Sequence, residues 1–180
     1  DYNNLEIVTS KITNNGFNIT GTAAGQTGMA QENGLDMTST PLVRSTVTLT
    51  NNNGVISLSG ANSIGMYTSN GEIYNNGTGK INTTGDNSIG IYAVNGTKVD
   101  TAAGTEINIG KNGVGIFAKE TNTTINNGFN LNLAGNNSVG IYTEGTQGVN
   151  VLGTVNALVT GTDSALFNFD STGTVAGLGQ

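Results

Sequence analysis

The chain is expected to be all-β: a single-stranded parallel β-helix, a right-handed solenoid with about 25 residues per coil and about seven coils. Three observations predict this. One phrase recurs on a fixed grid: Ser63-Ile64-Gly65-Met66-Tyr67, Ser88-Ile89-Gly90-Ile91-Tyr92, Gly113-Val114-Gly115-Ile116-Phe117 and Ser138-Val139-Gly140-Ile141-Tyr142. Of 180 residues, 28 are Gly, 28 Asn and 27 Thr, a mixture that suits strands and tight turns. No helical period appears anywhere. A repeating unit this short cannot cover its own apolar face, so its neighbours must cover it.

Each coil is expected to hold three short strands. The first is Val55-Ile56-Ser57-Leu58, echoed by Lys80 to Thr83, Glu106 to Ile109 and Phe129 to Leu133. The second is the recurring phrase itself. The third is looser: Glu72-Ile73-Tyr74, Lys98-Val99-Asp100, Thr124-Ile125-Asn126 and Gly148 to Val151. Asn-Gly turns at Asn70-Gly71 and Asn95-Gly96 separate the second from the third, and Asn76-Gly77 and Asn127-Gly128 lead on to the next coil. An antiparallel meander would show turns about every 8–12 residues without a long exact repeat.

Along the second strand, the period of two puts Ile64 and Met66 on one face, taken as the interior. Full burial of each such side chain contributes roughly 1.5–3 kcal/mol. Gly65 and Tyr67 then fall on the opposite face or at the corner, with the glycine column where backbone approaches closely. Asn62, Asn87, Asn112 and Asn137 form a second column, read as a structural ladder of stacked amides. Tyr67, Tyr92, Phe117 and Tyr142 form a third, read as a stabilising aromatic stack. A worn copy, Ser164-Ala165-Leu166-Phe167, keeps Phe167 on the same grid, although this last phrase fits two registers one residue apart.

Composition excludes several chemistries. The net charge is −6, with a single Arg, so there is no basic face for nucleic acid. No apolar run approaches the 18 or so residues of a membrane span. Histidine and cysteine are both absent, which removes imidazole and thiolate catalysis and the common zinc sites. The acids Asp86, Asp100, Glu106, Glu120, Glu144 and Asp163 follow no single column. Of these, Asp100 and Glu106 are the pair that could come close, a weak signal for glycosidase chemistry. No catalytic residue, cofactor or metal is expected, and the chain is read as a non-enzyme.

The grid breaks once. The nearest earlier copy of the phrase is Gln26-Thr27-Gly28-Met29-Ala30, so Gly28 to Gly65 spans 37 residues. The surplus lies in an irregular coil or inserted loop over 31–50, which holds the only Pro, Pro41, and the only Arg. Insertions in solenoids often carry binding residues, and this marks Glu32, Asp36 and Arg44 as candidates for ligand contact. Residues 1–180 otherwise read as one β-helix segment. The chain opens at Asp1-Tyr2-Asn3 without a signal peptide, and neither end carries a polar cap, so it is expected to continue into a longer β-helix.

The phrases Asn62 to Tyr67, Asn87 to Ala93 and Asn137 to Tyr142 resemble repeats of the very large fusobacterial outer-membrane autotransporter adhesins. The resemblance covers roughly Asn51 to Phe167. It implies a β-helical passenger projecting from a bacterial surface, anchored by a C-terminal outer-membrane barrel and bound to a receptor on host cells or other bacteria, a glycan or a protein. The family includes galactose-type lectin adhesins and arginine-inhibitable coaggregation adhesins; no family binding residue matches a position here. The alternative is a polysaccharide-binding or -degrading β-helix of the tailspike or lyase type. With one Arg, no His and unclustered acids, the stalk and adhesin reading is preferred. The segment itself is expected to touch no membrane.

Overall fold

A computed structural model describes residues 5–32, 35–36, 42–120, 122–125, 128–151 and 154–176. Among them there is no helix, and the strands form three sheets that make the walls of a β-solenoid. The first wall runs through Leu5–Asn15, Leu42–Asn52, Glu72–Asn76 and Lys98–Thr101. The second runs through Thr27–Glu32, Ile64–Ser69, Ile89–Val94, Val114–Lys119 and Val139–Val151, the last of which also pairs with Asn122–Ile125 and Ala165–Ala176. The third takes Asn18–Gly21, Val55–Leu58, Lys80–Thr83, Glu106–Ile109, Asn130–Leu133 and Asn156–Val159. The chain therefore passes from third wall to second to first and back to third, where each strand lies beside its own echo.

Pairing is parallel throughout, apart from the two-residue strand Leu35–Asp36, which runs antiparallel to Leu42–Asn52. The recurring phrase stacks on itself: Tyr67 pairs with Tyr92, Tyr92 with Phe117 and Phe117 with Tyr142. Hydrogen bonds between adjacent levels join residues 25, 26 and 24 apart along the third wall. At the irregular level the separation is 37, as in the bond from Asn14 to Asn51.

The interior is built of like columns. Leu49, Ile73 and Val99 line up inside the first wall, Met66, Ile91, Ile116 and Ile141 inside the second, and Ile56, Ile81, Ile107 and Leu131 inside the third, all essentially without solvent contact. The expected inward placing of Ile64 is corrected here. Ile64, Ile89, Val114 and Val139 are only half-buried, and Gly65 and Met66 are both interior. The glycine is the cause. A Cβ on Gly65 would lie 2.5 Å from the Ile81 methyl and 2.5 Å from the Gly90 carbonyl oxygen, so this side of the strand faces the core. The ladder passes over that glycine, the two-residue alternation slips by one, and Ile64 turns out to the face that carries Tyr67.

The last phrase is corrected likewise. Ser138 N–H donates to the Ser164 hydroxyl, 26 residues on, and Phe167 pairs with Ile141. Phe167 thus joins the inward column and packs against the core, leaving Asn168 beside Tyr142.

Turn chemistry sets the Asn column. Asn62, Asn87, Asn112 and Asn137 have φ of 57°, 58°, 54° and 55°, the left-handed region that Asn tolerates better than other side-chain-bearing residues. The Asn112 amide donates to Asn87 Oδ1 at 3.2 Å, and that of Asn137 to Asn112 Oδ1 at 3.3 Å.

Candidate functional site

The exterior of the second wall carries the aromatic column. Its rings are half-buried, with centroids 5.5 Å apart for Tyr67–Tyr92, 5.0 Å for Tyr92–Phe117 and 4.9 Å for Phe117–Tyr142. Such spacings stabilise offset and edge-on pairs. The rings cover one another along the axis, which spends much of their surface on cohesion.

The candidates from the irregular coil separate. Tyr67 donates its hydroxyl to Glu32 Oε1 at 3.0 Å, placing Glu32 at the head of the aromatic column. Burial, reinforced by this carboxylate, raises the Tyr67 pKa above its ordinary value. The backbones of Asp36 and Arg44 lie on adjacent antiparallel strands, Leu35 opposite Arg44 and Asp36 opposite Val43. The side chains of Asp36 and Arg44 lie outside the described residues. Asp100 and Glu106 do not form a pair: Asp100 is on the first wall, 4.0 Å from Lys98, and Glu106 is on the third, 2.9 Å from Lys80.

Glu106 anchors a polar network on the exterior of the third wall. Asn82 donates to Ser57, Asn108 to Asn82 and Asn132 to Asn108, and Glu106 accepts from Asn108 at 2.8 Å and Asn132 at 3.2 Å. The bonds from Lys80 and Asn108 hold the Glu106 carboxyl below its usual range. This network is satisfied internally and has the character of a ladder.

The first wall carries a different arrangement. A groove of about 570 Å³ is lined by Thr9, Lys11, Thr46, Asn70, Glu72 and Tyr74, among others. Tyr74 donates its hydroxyl to Glu72 Oε2 at 2.9 Å and accepts from Lys98 Nζ at 3.4 Å, and the same ammonium lies 5.3 Å from the ring centroid. Burial and the Glu72 carboxylate raise the Tyr74 pKa; the phenol and nearby carboxylates raise that of Lys98 against the opposing effect of desolvation. The Thr9 and Thr46 hydroxyls lie 3.1 Å apart. Sequence reading missed this cluster because Thr9 and Lys11, Thr46, and Glu72 and Tyr74 come from three successive strands of the first wall, of which only the last was read as a strand of the repeat. The available signal was that Tyr74 is aromatic where its register partner one coil on is Asp100.

Among the described residues there is no group of three His, Cys, Asp or Glu that could hold a metal ion. What the exterior offers is hydrogen-bonding side chains and half-buried rings. The class defined is a β-solenoid with polar ladders on its exterior. No family model matches the chain, and no curated protein and no solved structure matches it either.

Proposed function

We propose that this chain is a segment of a bacterial cell-surface autotransporter passenger, a rigid stalk that also serves as an adhesin for host cells or other bacteria. In this reading it winds right-handed through about seven coils of about 25 residues. It continues into a longer β-helix, carried at the outer membrane by a C-terminal barrel. The receptor is a glycan or a protein. The observation that carries the reading is the in-register stacking of one phrase from Ile64 to Tyr142, which makes a stiff column rather than an enclosed pocket. The resemblance of that phrase to fusobacterial passenger repeats supplies the biological setting.

The test is adherence. Beads coated with the 180-residue chain are expected to bind epithelial cells or a second bacterial species above albumin-coated beads, with free chain competing. Equal binding by both kinds of bead would overturn the adhesin reading. Release of reducing ends from any polysaccharide would favour the tailspike-type alternative instead.

A further inference from the structure

We propose that the groove on the first wall, between Lys11, Thr46 and Tyr74, is a binding site for a neutral saccharide of one to three sugar units. The proposal rests on the adhesin reading for its biological setting and on the following geometry for its location.

The groove lies where the repeat is interrupted. Leu5–Asn15 and Leu42–Asn52 pair along their full length, but the next strand of that wall begins only opposite Thr48, at Glu72. The pairs from Leu5–Leu42 to Ser10–Val47 therefore project beyond the regular coil as a ledge, with Leu35–Asp36 running antiparallel beside Val43 and Arg44. Against it sits the turn at Asn70 and Gly71, where a Cβ on Gly71 would come 2.6 Å from the Val47 carbonyl oxygen. Ledge and turn make the two sides of the groove, and Tyr74 and Glu72 line it with them. A regular coil has no such ledge, so the site occurs once along the described wall. Irregular coils are where solenoids place binding surfaces.

The lining selects the ligand class. The Lys98 ammonium approaches the Tyr74 ring from the following coil, at 5.3 Å. On the other side the register partner of Tyr74 is Thr50, and next to it stands Thr48 opposite Glu72, both short side chains that leave room beside the ring. An aromatic face next to a row of hydroxyls, an amide, one carboxylate and one ammonium suits a ring with an apolar C–H face and polar edges. Glu72 can accept from vicinal hydroxyls, and Lys11 and one hydroxyl of the hydrogen-bonded Thr9–Thr46 pair can donate to ring and hydroxyl oxygens. Lys11 and Glu72 bring one charge of each sign to the lining, and Lys98 beside the ring is balanced by Asp100 at 4.0 Å, which favours a neutral sugar. A peptide would want apolar pockets for its side chains, and the lining offers little beyond Val47. The volume falls within the range of small-ligand sites. The aromatic column of the second wall is a poorer candidate because its rings already cover each other.

The experiment is saturation-transfer NMR on the 180-residue chain with lactose, maltose, N,N′-diacetylchitobiose and, as a charged comparator, glucuronic acid. Transfer is expected to at least one neutral disaccharide and to be weaker for glucuronic acid. Tyr74→Ala is expected to weaken binding about tenfold, the order of one lost aromatic contact. Thr46→Arg, which fills the groove and leaves the ring intact, is expected to abolish binding. Tyr92→Ala, on the second wall, is expected to leave binding unchanged. Circular dichroism shows which variants fold, and a folded Thr46→Arg decides the matter if Tyr74→Ala does not fold. The proposal is overturned by absence of transfer to all three neutral sugars, by preference for glucuronic acid, by unchanged binding in Thr46→Arg, or by loss of binding in folded Tyr92→Ala. Bead adherence keeps the two readings apart. Adherence of the chain without transfer to any neutral sugar sinks the groove and leaves the adhesin, whereas sugar binding without adherence does the reverse.

Discussion

Thr83 stands in an inward column between Leu58 and Ile109, fully buried, with no hydrogen-bond partner for its hydroxyl among the described residues. A buried hydroxyl without a partner costs about 1–3 kcal/mol relative to an apolar group. Thr83→Val keeps the shape and removes that cost. It is expected to raise stability by about 1 kcal/mol, seen as a melting temperature about 2–4 °C higher for a chain of this size. A lower melting point would mean that the hydroxyl has a partner. Glu120 shows strain of another kind. It occupies the left-handed turn position that Asn70 and Asn95 fill in earlier coils and Gly145 in a later one, with φ of 50°. Left-handed backbone costs most residues roughly 1–2 kcal/mol, and Asn less. Glu120→Asn is therefore expected to shift the urea midpoint upward without changing the slope.

Whole elements depend on polar ladders as much as on the aliphatic columns. Inside the first wall, Asn14 donates to Asn51 Oδ1 at 3.0 Å, and Asn51 donates in turn to Asn75 Oδ1 at 2.9 Å and to the Gly54 carbonyl at 3.1 Å. Asn51 and Asn75 have no solvent contact, so a missing rung leaves buried amides unpaired. Asn51→Leu is expected to destabilise by about 2–3 kcal/mol, well beyond the net value of a single hydrogen bond. Chemical denaturation checks this, and a loss below half a kcal/mol would show that the ladder relaxes around the gap. The exterior ladder of the third wall titrates. The Glu106 carboxyl is held below its ordinary pKa by Lys80 and Asn108. A depressed carboxyl contributes its stability above the unfolded-state value of about 4.5, and that stability is lost as pH falls through the lower folded value. Melting curves between pH 6 and pH 2 are expected to show this acid-side loss, diminished in Glu106→Gln.

The molecule as a whole is a stack with two unlike ends. Ile12 is 40% exposed, although Leu49, its neighbour in the same column, is fully buried. At the other end Val159 is 40% exposed beside a buried Leu133. Phe17 adds an exposure of 73%. Interior columns thus run out into solvent, beside strand edges whose backbone groups favour a further parallel strand. The isolated 180-residue chain is expected to associate end to end as its concentration rises, the open arrangement that head-to-tail contacts produce. Light scattering coupled to gel filtration checks this, and a monomer mass at every concentration up to the millimolar range would exclude it.

The repeat by itself determined which residues lie above which, because parallel stacking turns an interval in the chain into a vertical contact: Tyr67 over Tyr92, Asn87 over Asn112, Ile81 over Ile107. The spacing from Gly28 to Gly65 likewise located the irregular coil. Tertiary structure alone decided which way a strand faces once its alternation slips. Gly65 has no side chain to show its direction, and only contact with Ile81 and Gly90 places it inward and turns Ile64 out. Contact also decided the register of Phe167, since both registers satisfy the local pattern and only one packs the ring against the core. The groove was hidden for the same reason. Lys11, Thr46 and Tyr74 come from three different coils, and their meeting depends on how far the ledge projects past the turn at Asn70, a length that no local pattern encodes.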